Sequence, residues 1–113
     1  MGDKLYVITR SDLDPGYQAV QSLHAGIQFA MEHTDIHREW FENSNYLGLL
    51  SVANEIELHN LIENAREQNI NVSVFREPDI GDQITAIALA PGARTKKLCS
   101  NLKLALKKYD TIS

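Results

Sequence analysis

The sequence has one cysteine, three prolines, six glycines and no long apolar run, and each scarcity excludes something. Cys99 has no partner for an internal disulfide, and no Cys/His spacing has the form of a closed zinc site, so a reducing cytosol is the expected setting. The first apolar stretch, Leu5 to Ile8, is too short for a signal-peptide core or a membrane span, so the expectation is a cytoplasmic protein with no membrane partner. A phosphate-binding P-loop, a dinucleotide-binding glycine pattern, a His-Glu-x-x-His zinc helix and a nucleophile elbow are all missing. The four histidines, His24, His33, His37 and His59, are too scattered to imply a metal, and neither metal nor organic cofactor is expected. Repeats, linkers and low-complexity stretches are missing too.

What remains is an ordinary globular composition in an uneven arrangement. Apolar residues make up 43% and charged residues 23% of 113 positions, which fits a single domain over residues 1–113 with one core. The formal net charge is -4, yet residues 94–113 hold six basic side chains against one acid. That stretch is therefore about +5 and the rest about -9. An anion near the C-terminal stretch feels the local field rather than the total, because salt screens charge beyond roughly 8 Å.

Leu5 to Thr9 is a β-branched and aromatic run that reads as a buried first strand. Asp14-Pro15 is a helix-start signal, with the Asp carboxylate available to cap free amides, and predicts a helix to about Glu32. Steps of 100° put Val20, Leu23, Ile27, Ala30 and Met31 on one stripe, the expected core face, with Tyr17, Gln21, His24 and Gln28 along its flank. The connection that follows has room for a short helix around Ile36 to Phe41, with Trp40 and Phe41 as core anchors. Leu47 to Val52 is a second strand. Asn54 with Glu57 forms a capping box for the next helix, whose apolar face is Ile56, Leu58, Leu61, Ile62 and Ala65. Asn71 to Phe75 and Ile84 to Ala90 are the third and fourth strands. A last helix is expected from about Thr95 to Tyr109, burying Leu98, Leu102, Ala105 and Tyr109 and aligning Lys96, Lys103 and Lys107 as one basic ridge. The order predicts an α/β fold, a three-layer α/β/α domain around a four-stranded mixed sheet.

In such sheets ligands gather beyond the C-terminal ends of strands. The loop after the first strand (Arg10, Ser11, Asp12), the start of the first helix (Tyr17, Gln21, His24) and the loop after the third strand (Arg76, Glu77, Asp79) can share one rim. Carboxylates, an imidazole, amides and a guanidinium together suffice for water activation and oxyanion stabilisation. The plainer alternative is that Arg10 or Arg76 pairs with these acids on a solvated loop.

Arg10-Ser11-Asp12-Leu13, followed by Gly16-Tyr17-Gln18-Ala19-Val20-Gln21-Ser22-Leu23-His24-Ala25, resembles the first loop and helix of type II peptidyl-tRNA hydrolases. The likeness continues through Trp40, Asn54-Glu55, Arg76-Glu77, the run Thr85 to Pro91 and the stretch Leu98 to Leu104. It departs where the family usually has a lysine after the helix-start glycine, here Tyr17, and in a loop after the third strand that is shorter and offers no threonine. The resemblance implies hydrolysis of the ester between peptide and tRNA by an activated water, without metal or cofactor. It implies a catalytic group drawn from His24, Gln21, Glu77, Asp79, Tyr17 and Asp12, and phosphate contacts from Arg94, Lys96, Lys97, Lys103 and Lys107. The expected partner is tRNA, and a homodimer is compatible with the reading. The missing lysine keeps a second reading open, a module that retains the fold without the chemistry and binds RNA, a nucleotide or a protein.

Overall fold

A computed structural model describes residues 3–108. Its order is β1 (Lys4–Arg10), α1 (Pro15–Glu32), α2 (Thr34–Asn43), β2 (Tyr46–Val52), α3 (Glu55–Glu67), β3 (Val72–Glu77), a 3-10 turn (Pro78–Ile80), β4 (Gln83–Leu89), α4 (Ala93–Leu98) and β5 (Lys103–Leu104). The strands form one mixed sheet in the order β3-β4-β1-β2-β5, with β1 parallel to β2 and the other pairs antiparallel. The four expected strands are joined by a fifth, so the sheet has five strands rather than four.

Helices α1 and α3 both pack on β4, β1 and β3. A helix is about 10 Å wide, two strand spacings, so two helices covering the same strands lie on opposite faces. Strand β4 is consequently buried from Ile84 to Leu89, as its nearly unbroken apolar run requires. Between the layers lie Leu5, Ile8, Phe29, Leu58, Ile84, Ile87 and Leu89, each 2% exposed or less. Asn54 accepts the Glu57 amide at 3.0 Å, and the Glu57 carboxylate reaches back to the Ala53 amide at 2.7 Å, so the capping box starts α3 as its spacing predicts.

Several local expectations are overturned. The stripe assigned to the core face of α1 points outward: Val20, Leu23, Ile27 and Met31 are exposed, and the buried residues are Gln18, Gln21, Ser22, Ala25 and Phe29. Burial is possible for these polar groups because each is satisfied. Gln18 donates to the Leu13 carbonyl at 2.6 Å, Ser22 to the Gln18 carbonyl at 2.7 Å, and Gln21 belongs to the network described below. Asp14 precedes α1 without capping it, and Pro15 at the first position carries the start alone. In α2, Trp40 is buried and donates to the Tyr46 carbonyl at 2.7 Å, whereas Phe41 is exposed.

The C-terminal helix stops at Leu98, eleven residues short of the expected end at Tyr109, which lies outside the described residues. Ser100 and Asn101 favour turns over helix, and the amides of Ser100 and Leu102 close turns onto Lys97 and Cys99. The chain then supplies β5 to the open edge of β2, pairing Leu104 with Leu50 and Lys103 with Ser51. Lys96 on α4 and Lys103 on β5 therefore lie on different elements, with Lys107 beyond both, and no single helix aligns them as one ridge.

Candidate active site

The buried polar network sits where β1 and β3 end and β4 begins. Along the β3–β4 ladder Phe75 pairs with Ala86, but Arg76 pairs with Ile84, so Thr85 is the extra residue of a β-bulge. A bulge turns its extra side chain out of the strand's alternation. Here it aims the fully buried Thr85 hydroxyl at α1, where it donates to Gln21 Oε1 at 2.6 Å. That bond fixes which end of the Gln21 amide faces which way. Gln21 Nε2 then donates to Glu77 Oε1 at 2.9 Å, while Glu77 Oε2 accepts the Asp79 amide at 3.2 Å. Thr9 closes the back of the network by donating to the Thr85 carbonyl at 2.9 Å.

Glu77 is therefore a carboxylate held at both oxygens although it is only 8% exposed. Donation from Gln21 is the largest influence on its pKa and lowers it, helped by the Asp79 amide and opposed by burial. Tyr17, one turn before Gln21 on α1, has its phenol pushed up by burial and by the charges of Glu77 and Asp79. It stays a neutral donor where a lysine would be a cation. His24, one turn after Gln21, stacks flat on Phe75 with ring centres 4.4 Å apart and planes 3° from parallel. The residue is exposed, and a positive charge on its ring would help lower the Glu77 pKa.

Asp12 is tied up differently. Both its oxygens accept from Arg10, at 2.9 Å each, and the same guanidinium donates to Gln83 Oε1 at 2.8 Å and to the Ile84 carbonyl at 3.1 Å. Arg10 hydrogen bonding holds the Asp12 carboxyl below its usual range. This fork pins the loop after β1 to the start of β4. Glu55, at the start of α3, accepts the Ile84 amide at 2.7 Å from its own side.

The structure thus brings Tyr17, Gln21, His24, Glu77 and Asp79 to one rim, with Asp12 beside them in its own ion pair. The basic residues are not there. Arg94, Lys96 and Lys97 sit on α4, which follows β4 and so lies at the far end of the sheet, a seven-residue strand or roughly 20 Å away. Lys103 pairs with Ser51 near the site end of β2, but two strand spacings, about 10 Å, beyond β1. Arg76 is the nearer exposed cation, its Nη1 donating to the Asp82 carbonyl at 3.4 Å. Thr85, Thr9, Gln83 and Glu55 were not singled out by the sequence. A threonine inside an otherwise apolar strand was the available signal for Thr85.

Two concavities lie away from this rim. One of about 760 Å³ opens at the other end of the sheet among Asp3, Asp35, Glu39, Trp40 and Tyr46, and one of about 650 Å³ lies between α1 and strands β1 and β2. Among the described residues, no group of three or more His, Cys, Asp or Glu side chains is arranged to hold a metal ion. No helix among them is long and apolar enough to cross a membrane.

Comparison with known proteins gives the chain its relatives. A search of curated proteins found no match. Among solved structures, the fold is similar to that of a protein of unknown function from Agrobacterium tumefaciens strain C58, with a TM-score of 0.69 at 14% identity over 92% of this chain and 98% of the other. At that identity the likeness speaks for the fold. The model of the family described as peptidyl-tRNA hydrolase PTH2 matches residues 3–105, nearly the whole chain, and the chain belongs to that family.

Proposed function

We propose that this protein hydrolyses the ester joining a peptide to tRNA, with Glu77, His24 and Tyr17 as the working groups. The observation that carries the reading is the Thr85–Gln21–Glu77 chain, which holds a nearly buried carboxylate in one orientation beside an exposed imidazole and a neutral phenol. A structural ion pair would have placed a cation there. This carboxylate instead receives an amide donor and a backbone N–H, with the Tyr17 hydroxyl as a third donor, and keeps a lone pair with which to accept from a water.

In this mechanism the water donates one hydrogen bond to Glu77, which orients its oxygen toward the ester carbonyl. His24 takes the proton as the carbon–oxygen bond forms, an imidazole being suited to taking and returning a proton near neutrality. The Glu77 charge stabilises the resulting imidazolium. Tyr17 donates to the tetrahedral oxyanion, a task that needs a hydrogen-bond donor rather than a full charge. Collapse breaks the ester bond, and the ribose oxygen leaves with the proton from His24. Gln21 is only 1% exposed, so its part is to position Glu77 rather than to touch substrate. Asp79 supplies its amide to Glu77, and Asp12 fixes the neighbouring loop through Arg10. Arg94, Lys96, Lys97, Lys103 and Lys107 meet phosphates of the tRNA body, away from the ester.

One observation favours the second reading, a binding module without chemistry: Tyr17 leaves the rim without the lysine that the family resemblance leads one to expect. Release of a blocked aminoacyl group from charged tRNA, with free aminoacyl-tRNA as the specificity control, separates the two. The wild type is expected to release the group, and Glu77→Gln to lower the rate by about 10²- to 10⁴-fold with folding intact. Binding of tRNA with no release above buffer would assign the chain to the module.

A further inference from the structure

Helix α1 meets strand β3 in three successive contacts. Gln21 donates to Glu77 Oε1 at 2.9 Å, His24 lies flat on Phe75, and Gln28 donates to the Val74 carbonyl at 2.9 Å. Two regular geometries produce this spacing. Residues 75 and 77 point to the same side of β3, roughly 7 Å apart, and residues 21 and 24 are neighbours along one edge of α1. The first contact aims the carboxylate of the site. The second has no task yet. His24 is exposed and Phe75 half-buried. The outer torsion of a histidine is broad and roughly two-fold, so an exposed imidazole without a contact turns among several orientations. Here the ring centres are 4.4 Å apart and the planes 3° from parallel, an offset stack. Such a stack grips an imidazole by its face and leaves open the edge, where both nitrogens lie. The other side of the contact is fixed in the sheet, because Phe75 pairs with Ala86 at the last regular position before the Thr85 bulge.

We infer that Phe75 is the positioning residue of His24, its ring fixing the plane in which the imidazole presents a nitrogen to the water that Glu77 orients. The inference rests on the hydrolytic reading, in which His24 takes and returns the proton. Phe75 acts through His24 rather than on the substrate. Its face also favours the imidazolium that forms as the ester is attacked, since a cation over an aromatic ring is attracted by the ring's quadrupole. Both effects belong to the transition state, so their loss appears in kcat rather than in KM. A leucine at this position fills much of the same space and supplies neither. The arrangement pairs two rungs of one ladder: Gln21 on α1 sets Glu77 on β3, and Phe75 on β3 sets His24 on α1.

The test combines turnover with a signature that needs none. In release of a blocked aminoacyl group from charged tRNA by the full chain, Phe75→Leu should lower kcat by about ten- to a hundredfold with KM little changed, the scale expected when a reacting group is misplaced by about 1 Å. Phe75→Tyr keeps a ring in the same place and should keep most of the rate. Should Phe75→Leu fold poorly, Phe75→Met offers a second ringless side chain of similar volume. Proton NMR supplies the signature: the ring current of a stacked phenyl moves the carbon-bound ring protons of His24 upfield in the wild type and in Phe75→Tyr, and this shift should vanish in Phe75→Leu. A wild type without the upfield shift overturns the inference. So does an active wild type whose kcat is unchanged in Phe75→Leu, or a Phe75→Tyr as slow as Phe75→Leu, and the hydrolytic reading survives either result. A wild type that shows the stack and releases nothing fails the hydrolytic reading and takes the inference with it.

Discussion

The two faces of helix α1 depart from the usual arrangement: the face against the sheet carries Gln18, Gln21 and Ser22 beside Ala25 and Phe29, and the face toward solvent carries Val20, Leu23, Ile27 and Met31. Periodicity identifies the apolar stripe correctly and its destination wrongly. A stripe reports that one side of a helix wants to leave water, without saying what it leaves water for. The inner face is decided by long-range hydrogen bonds, from Thr85 to Gln21 and from Gln21 to Glu77, across 64 and 56 residues of sequence. Polar residues occupy the core side because the site needs them there. The apolar ones on the other side are left exposed.

The largest expected effect breaks that comparison at its centre. If the inner face were held only by burial of apolar surface, Gln21→Leu would stabilise the protein or leave it unchanged. The hydrogen-bond network demands the opposite, since leucine strands the Thr85 hydroxyl and removes a donor from a nearly buried carboxylate. Stability should fall by about 2 to 4 kcal/mol, read as a lower urea midpoint, and hydrolysis should fall with it. An unchanged midpoint would mean that the network is incidental.

How far the sequence reaches follows the range of the interactions that decide each feature. Strands β1 to β4 and helix α3 were legible because runs and caps of local origin fix them, as with Asn54 and Glu57. The rim was legible in outline because Tyr17, Gln21 and His24 lie one turn apart on a helix, and because Arg76-Glu77 ends a strand. What escaped depends on distant partners. The bulge at Thr85 is a mismatch between two strands, invisible in either alone. The truncation of the last helix reflects the open edge of β2, some fifty residues earlier in the chain, which Lys103–Leu104 completes. The outward stripe reflects the short layer over β2. Asp12 stood among the catalytic candidates, with an Arg10 ion pair as the plainer alternative, and it is the ion pair that the fold holds, through both carboxylate oxygens.

Acid should sharpen the same comparison by an intermediate amount. Glu77 and Asp12 both have folded pKa values below their ordinary 4.5 and 3.8, through donation from Gln21 and Arg10 respectively. A depressed carboxyl pKa means that the native state binds fewer protons than the unfolded chain as pH falls. The stabilisation is therefore present above the ordinary values and is lost as pH drops through the folded ones. Urea midpoints should hold near neutrality and decline below about pH 4.5, and Glu77→Gln should remove part of that decline. Substitutions on the outer face should leave its shape alone. A decline that Glu77→Gln does not alter would locate the acid sensitivity elsewhere.

The smallest expected effect discriminates most sharply. Leu23→Gln places an amide on the outer stripe, where the side chain is already 67% exposed. The substitution gives up little burial, introduces no unpaired buried group and keeps helix propensity nearly constant, so stability should move by no more than about 0.5 kcal/mol. Were the stripe the core face, as its periodicity alone predicts, the same change would bury an amide without partners and cost about 2 to 5 kcal/mol. A small shift keeps Leu23 on the outer face. A large shift would return it to the core and reverse the assignment of the two faces.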